Sequence, residues 1–194
     1  MVRWKPGAGE RLQAAAMRCY AENGFEQTTV AQIAQEAGVT ERTFFRHFAD
    51  KREVLFEGQD VLQRVFLEGV QTAPEGSTPL EMAAGALAGA AVFFDDKRRP
   101  WSRTRQVVID ANPGLREREL LKMAALRAAL AAALRDRGVP EPAATLAAET
   151  AGTVFHVTFQ QWIAEGETRP FEVIERDIFA RLTALSAGAD APAH

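Results

Sequence analysis

The chain has 194 residues, 47% of them hydrophobic and 25% charged, with a net charge of −3. That length suits one large domain or two small ones with a sizeable core, and the single cysteine, Cys19, excludes an internal disulfide. The N-terminus lacks the apolar stretch of a signal peptide, and the longest apolar run, Met82 to Phe94, is too short to span a bilayer. Composition therefore predicts a soluble, cytoplasmic, helical protein.

Met1 to Gly9 reads as a mobile arm, whose Arg3 and Lys5 either reach DNA or form a solvated tail. Leu12, Ala16, Cys19 and Tyr20 then form a helical stripe that ends at Asn23-Gly24, with Phe25 expected to fold back on Tyr20 in a Schellman close. Cys19 lies on the inward side of this stripe, as a small buried hydrophobe.

From Thr29 to Phe48 two short helical patterns meet at one glycine, the outline of a helix-turn-helix. Thr29 and Gln32 form a capping box, Ile33 and Ala37 share a face, and Gly38 allows a sharp turn before Thr40 caps the next helix. Phe44 and Phe48, four residues apart, anchor that second helix inward and leave Glu41, Arg42, Phe45 and Arg46 on its surface. Arg42 can read a guanine edge or grip a phosphate, and Glu41 can accept from cytosine or repel the backbone. Thr40, Thr43 and His47 can hydrogen-bond phosphate oxygens. Asp50 caps a further pattern with Lys51 in its first turn and Glu53 closing a second box, and the helix is expected to run from Lys51 to about Gln71.

The stretch from Ala16 to Leu55 resembles the N-terminal DNA-binding domain of TetR-type bacterial transcriptional regulators. The resemblance rests on Gly24-Phe25, the threonine-rich start of the second helix, Ile33-Ala34, Ala37-Gly38-Val39, the run Thr43 to Phe48 and Lys51. It implies an all-α homodimer with a divergent C-terminal region that holds a small-molecule effector. It also implies phosphate contacts by Thr29, Thr43, His47 and Lys51, and places Glu41, Arg42 and Phe45 near bases. Phe45 departs from a position that is often tyrosine, so it can pack on sugar or a thymine methyl but cannot donate a hydroxyl hydrogen bond.

Residues 1–56 carry eight Lys/Arg against seven Asp/Glu, a net +1, which leaves −4 on the remainder. Acidity is thus kept away from the reading head, where local cations matter more than the total. The loop TAPEGS marks the best boundary along the chain. Thr78-Pro79-Leu80-Glu81, Asn112-Pro113 and Pro140 to Pro142 mark further helix starts, while Gly138 and Gly166 mark stops. The resulting expectation is an all-α fold of about nine helices: an N-terminal three-helix helix-turn-helix domain over residues 9–56 and a C-terminal helical bundle over 57–187.

In the C-terminal region, alanine-rich segments at Ala83 to Ala91 and Ala124 to Ala133 permit close helix approach, and long side chains must fill the space opposite. Phe66, Phe93, Phe94, Trp101, Phe155, Phe159 and Trp162 are the candidates, either as lining for an apolar ligand or as ordinary core and interface aromatics. The basic cluster KRRPWSRTR, with Arg103 and Trp101, offers either phosphate binding and stacking or a solvated loop paired with nearby acids. The stretch Ala111 to Leu120 is similar to regulators with an acyl-CoA-like binding domain. The last two helices, with Val154, Phe155, Thr158, Phe159 and Trp162 on one and Ile174, Ile178, Phe179 and Leu182 on the other, are expected to pair across a two-fold axis.

No Cys-x-x-Cys, phosphate-cradling glycine loop or two-histidine metal helix occurs, so neither an enzyme nor a metal or cofactor site is expected. The combined expectation is a homodimeric repressor, bound to a palindromic operator in double-stranded DNA and released by a small-molecule effector. An effector-independent DNA-binding protein or an activator is the alternative.

Overall fold

The computed structural model of the protein describes residues 7–186, which form nine α-helices, one short 3-10 turn and no strand. Residues 1–6 of the expected arm, with Arg3 and Lys5, lie outside the described residues, whereas its last two residues, Ala8 and Gly9, belong to the first helix, which Gly7 precedes. The described residues divide into two compact units, the first made of residues 7–59 and 104–118, the second of 60–103 and 119–186. No helix among the described residues is long and apolar enough to cross a membrane.

In the first unit, α1 (Ala8–Asn23), α2 (Val30–Glu36) and α3 (Glu41–His47) pack around a core that includes the fully buried Leu12, Ile33 and Phe44. The expected stripe on α1 is buried, and the Phe25 ring lies 5.3 Å from that of Tyr20. The Schellman close forms elsewhere. Gly24 leaves α1 with φ +78 and ψ 159, whereas at Gly38 (φ +66) the Gly38 N–H donates to Gln35 O and the Val39 N–H to Ala34 O, at 3.0 and 2.9 Å. At the end of α1 the buried Thr28 hydroxyl stands within hydrogen-bond distance of the carbonyls of Gly24 (2.8 Å) and Cys19 (3.1 Å).

The long helix expected from Lys51 is interrupted. Asp50 accepts from the N–H groups of Arg52 and Glu53, but the turn it starts is a 3-10 segment, Glu53–Phe56, that stops before Gly58 at φ +84. Helix α4 begins only at Gln59 and ends at Gln71. The Glu53 carboxylate pairs with Arg118, in the second turn of α7 (Pro113–Asp136). Arg105, in the middle of α6 (Arg99–Asp110), donates from Nε to Leu55 O at 2.6 Å, with its guanidinium 5.3 Å from the Phe56 ring. Residues distant in sequence thereby hold the 3-10 turn in place.

In the second unit, α5 (Pro79–Ala91) starts in the expected Thr78–Glu81 capping box, and α5, α8 (Ala143–Ile163) and α9 (Phe171–Ser186) pack on one another. Helices α4 and α5 meet backbone to backbone at Gly69 and Gly85. Arg137, just beyond α7 (Pro113–Asp136), donates to the carbonyls of Val70, Gln71 and Ala73 at 2.7–2.9 Å and so caps the C-terminal end of α4.

Glu175 on α9 is buried with no hydrogen bond or ion pair among the described residues, and desolvation pushes its carboxyl up to about 7, with Arg176 opposing and Glu172 adding to the shift. Between about pH 4.5 and 7 the folded chain keeps a proton that the unfolded chain has lost. Stability therefore falls as pH rises through that window and stays lower above it. Glu175→Gln is expected to remove this dependence and to raise stability at pH 8 by about 2–3 kcal/mol. Urea unfolding at pH 5 and pH 8 measures both effects, and an unchanged pH profile would show that the carboxyl is solvated.

Candidate nucleic-acid interface

Local chemistry positions the reading head residue by residue. At α2 the Gln32 N–H donates to the Thr29 hydroxyl (3.2 Å) and the Thr29 N–H donates to Gln32 Oε1 (2.8 Å), so the predicted capping box is present. At α3 the Thr43 N–H donates to the Thr40 hydroxyl at 3.3 Å, which fixes the helix start one residue after the turn. Phe44 and Phe48 are buried with their rings 5.5 Å apart, and they orient the helix.

The opposite face of α3 is open. Glu41, Arg42, Phe45, Arg46 and His47 are exposed, Thr43 is half-buried, and Thr29 and Thr40 stand exposed at the starts of α2 and α3. Arg42 and Arg46 make no ion pair among the described residues, unlike Arg18, which is held by Glu36 at 2.9 Å. Phe45 is 55% exposed although its ring touches Phe44 edge-on at 5.4 Å. Two free guanidinium groups and an apolar side chain on one short helix suit phosphates, base edges and thymine methyls.

Lys51 is placed differently from expectation. Its Nζ donates to the carbonyls of Phe25 (2.8 Å), Thr28 (2.9 Å) and Glu26 (3.1 Å) and lies 4.5 Å from the centre of the Phe25 ring. An ammonium has three protons, and here all three are accepted by the loop between α1 and α2. The Tyr20 hydroxyl donates to Lys51 O at 2.5 Å and completes the tie, and burial holds that phenol in its neutral form. The sequence pointed to Lys51 as a phosphate contact, but the alternative partners are main-chain carbonyls that carry no side-chain signature.

The second set of candidates divides. Phe66, Phe93, Phe94, Phe155, Phe159 and Trp162 come together in one aromatic cluster, joined by Phe171, which the sequence reading did not single out. Trp101 is half-buried on α6. Arg103 donates to the carbonyls of Ile163 (2.8 Å) and Ala164 (2.7 Å), and the buried Arg99 donates to Glu167 O and pairs with Asp96. Arg103 thus caps the end of α8 and Arg99 holds the loop between α8 and α9, so these two arginines of the basic cluster do not form an open anion site. Val154, Phe155, Thr158, Trp162 and Ile174, expected to face a second subunit, are buried within their own chain, because α8 presents that face to α5 and α9.

A capped three-helix core that exposes a short cationic helix after a glycine turn defines a helix-turn-helix DNA-binding protein. The profile described as "Bacterial regulatory proteins, tetR family" matches residues 12–57, and the profile "MftR C-terminal domain" matches residues 77–186. The chain belongs to the TetR family of transcriptional regulators. It is 39% identical over 78 residues to the HTH-type transcriptional regulator TcmR of Streptomyces glaucescens, a match that spans 40% of this chain and 34% of that relative, about a third of its length. Among solved structures, a putative transcriptional regulator of Pseudomonas aeruginosa PAO1 has a TM-score of 0.64 at 18% identity, covering 96% of this chain and 94% of the other. FadR of Bacillus subtilis in complex with stearoyl-CoA has a TM-score of 0.59 at 18% identity, covering 89% and 96%. At these identities the likeness is one of fold.

Proposed function

We propose that this regulator is a homodimeric repressor whose α3 helices enter adjacent major grooves of a palindromic operator and which a small-molecule effector releases. The observation that carries the DNA half of this reading is the face of α3, where Arg42 and Arg46 are exposed and make no ion pair among the described residues, beside an exposed Phe45. Arg42, Glu41 and Phe45 lie near bases, while Thr29, Thr40, Thr43, Arg46 and His47 contact phosphates. Lys51 shapes the loop that carries Thr29. Residues 9–56 form the DNA-binding part and residues 57–187 the effector-binding and dimerisation part. Such a regulator works in the cytoplasm, where the DNA is, and needs no cofactor and no catalysis.

For the second subunit, the surface left on α8 is its outward face, where Leu146 and Val157, three turns apart, are exposed. For the effector, the stearoyl-CoA held by the Bacillus subtilis neighbour makes acyl-CoA esters the first compounds to screen. The ligand acts by binding one spacing of the two heads more tightly than the other, which supplies the typical coupling of about 1–3 kcal/mol.

Selection of duplex DNA from a random library at near-physiological salt tests the reading. A palindrome in the bound pool supports it, and binding that is only salt-sensitive and nonspecific defeats it. On the selected operator, Arg42→Ala is expected to relax preference at one position in each half-site, at a cost of about 1–3 kcal/mol. A uniform loss with unchanged preference would move Arg42 to the phosphate contacts.

A further inference from the structure

We infer that the aromatic cluster of the second unit accommodates a small aromatic molecule that presents a carbonyl or carboxylate oxygen to Trp162 and Thr158. This inference rests on the reading of residues 57–187 as the effector-binding part, and it names the chemistry of the ligand.

Trp162 and Thr158 are both fully buried and lie one turn apart on the inward face of α8, yet Trp162 Nε1 and Thr158 Oγ1 have no hydrogen-bond partner among the described residues. Tryptophan in a core ordinarily finds an acceptor for its N–H, and buried polar atoms without partners are few enough in folded proteins for each to require a cause. The indole nitrogen is a donor only, so the missing partner is an acceptor. Arg99 adds a third such atom. Its guanidinium carbon lies 5.1 Å from the centre of the Trp162 ring, and although its two terminal nitrogens are bonded, its Nε is buried without an acceptor among the described residues. A cation at that place favours an oxygen that carries negative charge.

The surrounding walls define the rest of the ligand. Phe94 stacks on Phe171 at 4.7 Å, and Trp162 meets both edge-on at 5.6 and 5.7 Å, so an entering aromatic ring exchanges ring contacts for ring contacts. Phe93 and Phe159 are only half-buried, and Phe93 and Phe94 belong to the non-helical segment between α5 and α6. This side of the cluster can open without unwinding a helix.

Calorimetric titration of the whole protein, without DNA, with 1-naphthoate, 1-acetylnaphthalene and 1-methylnaphthalene tests the proposal. Both oxygen-bearing probes are expected to bind about tenfold or more tightly than the hydrocarbon. Trp162→Phe should remove most of that advantage while leaving 1-methylnaphthalene unaffected, and Thr158→Val, which keeps the side-chain shape, should remove a smaller part. Equal affinity for all three probes, no binding by any of them, or an equal loss for all three in Trp162→Phe would overturn the inference. Operator release is measured separately. Binding that leaves the DNA complex intact would defeat the effector reading while the site stands, and release by acyl-CoA esters without naphthyl binding would do the reverse.

Discussion

Replacing Lys51 by alanine is expected to destabilise the first unit by about 2–4 kcal/mol and to weaken binding to every DNA sequence without altering the salt dependence. The expectation follows from the three carbonyls, of Phe25, Glu26 and Thr28, that accept the protons of this ammonium within 3.1 Å. A hydrogen bond from a charged donor contributes more than a neutral one, and removing the donor leaves the loop before α2 without its tie to the segment that leads into the 3-10 turn. Thr29, at the end of that loop, then loses the position that sets the start of α2. A lysine that touched a phosphate would act otherwise, because its loss would lower the slope of log K against log salt by about 0.9. Thermal unfolding together with binding at three salt concentrations separates the two roles. A lowered slope with unchanged stability would return Lys51 to the phosphate contacts.

Gly69→Ala is expected to cost about 3 kcal/mol and to loosen the second unit around α4 and α5. An added methyl group would stand 2.4 Å from Gly85 O and 2.6 Å from Ala86 Cα, both main-chain atoms that yield only if the two helices separate. Gly152→Ala provides the comparison. There the nearest atoms, at 2.5 and 2.7 Å, belong to the flexible stem of Arg127, which can swing aside with its exposed partner Glu149. That substitution is expected to cost about 1 kcal/mol or less. Chemical unfolding of the two variants gives the difference directly, and equal losses would mean that the α4–α5 contact relaxes as easily as a side chain.

The elements whose chemistry is local were legible in the sequence. Thr29 with Gln32, Thr78 with Glu81, and Gly38 at φ +66 each satisfy or release backbone groups within a few residues, so their partners can be named from spacing alone. Phe44 and Phe48 needed only the helical repeat to be placed inward, and the same repeat left Arg42, Phe45 and Arg46 outside. The helix that was expected to begin at Lys51 failed for the opposite reason. Its capping residue Asp50 behaves as predicted, but Glu53 is drawn to Arg118 and Leu55 O to Arg105, groups more than forty residues away.

The candidate contacts show the same division. Exposure of the α3 face follows from periodicity, whereas the fate of each cation depends on what lies near it in space. Arg42 and Arg46 are exposed and make no ion pair among the described residues, Arg99, Arg103 and Lys51 are held by carbonyls, and nothing in the order of residues distinguishes them. Aromatic residues were recognised as a set, yet Phe171 and the orphaned Trp162 N–H became visible only once α8 and α9 were packed.

By itself, then, the sequence determined most of the helices and their caps, because capping and amphipathic period act over one or two turns, and its resemblance over Ala16 to Leu55 pointed to the class of regulator. Tertiary structure alone decided which cations face outward, which aromatic face of α8 is interior and where the chain breaks before α4. Those outcomes depend on carbonyls, ring faces and glycine contacts supplied by distant segments, and a linear pattern carries no information about where such groups meet.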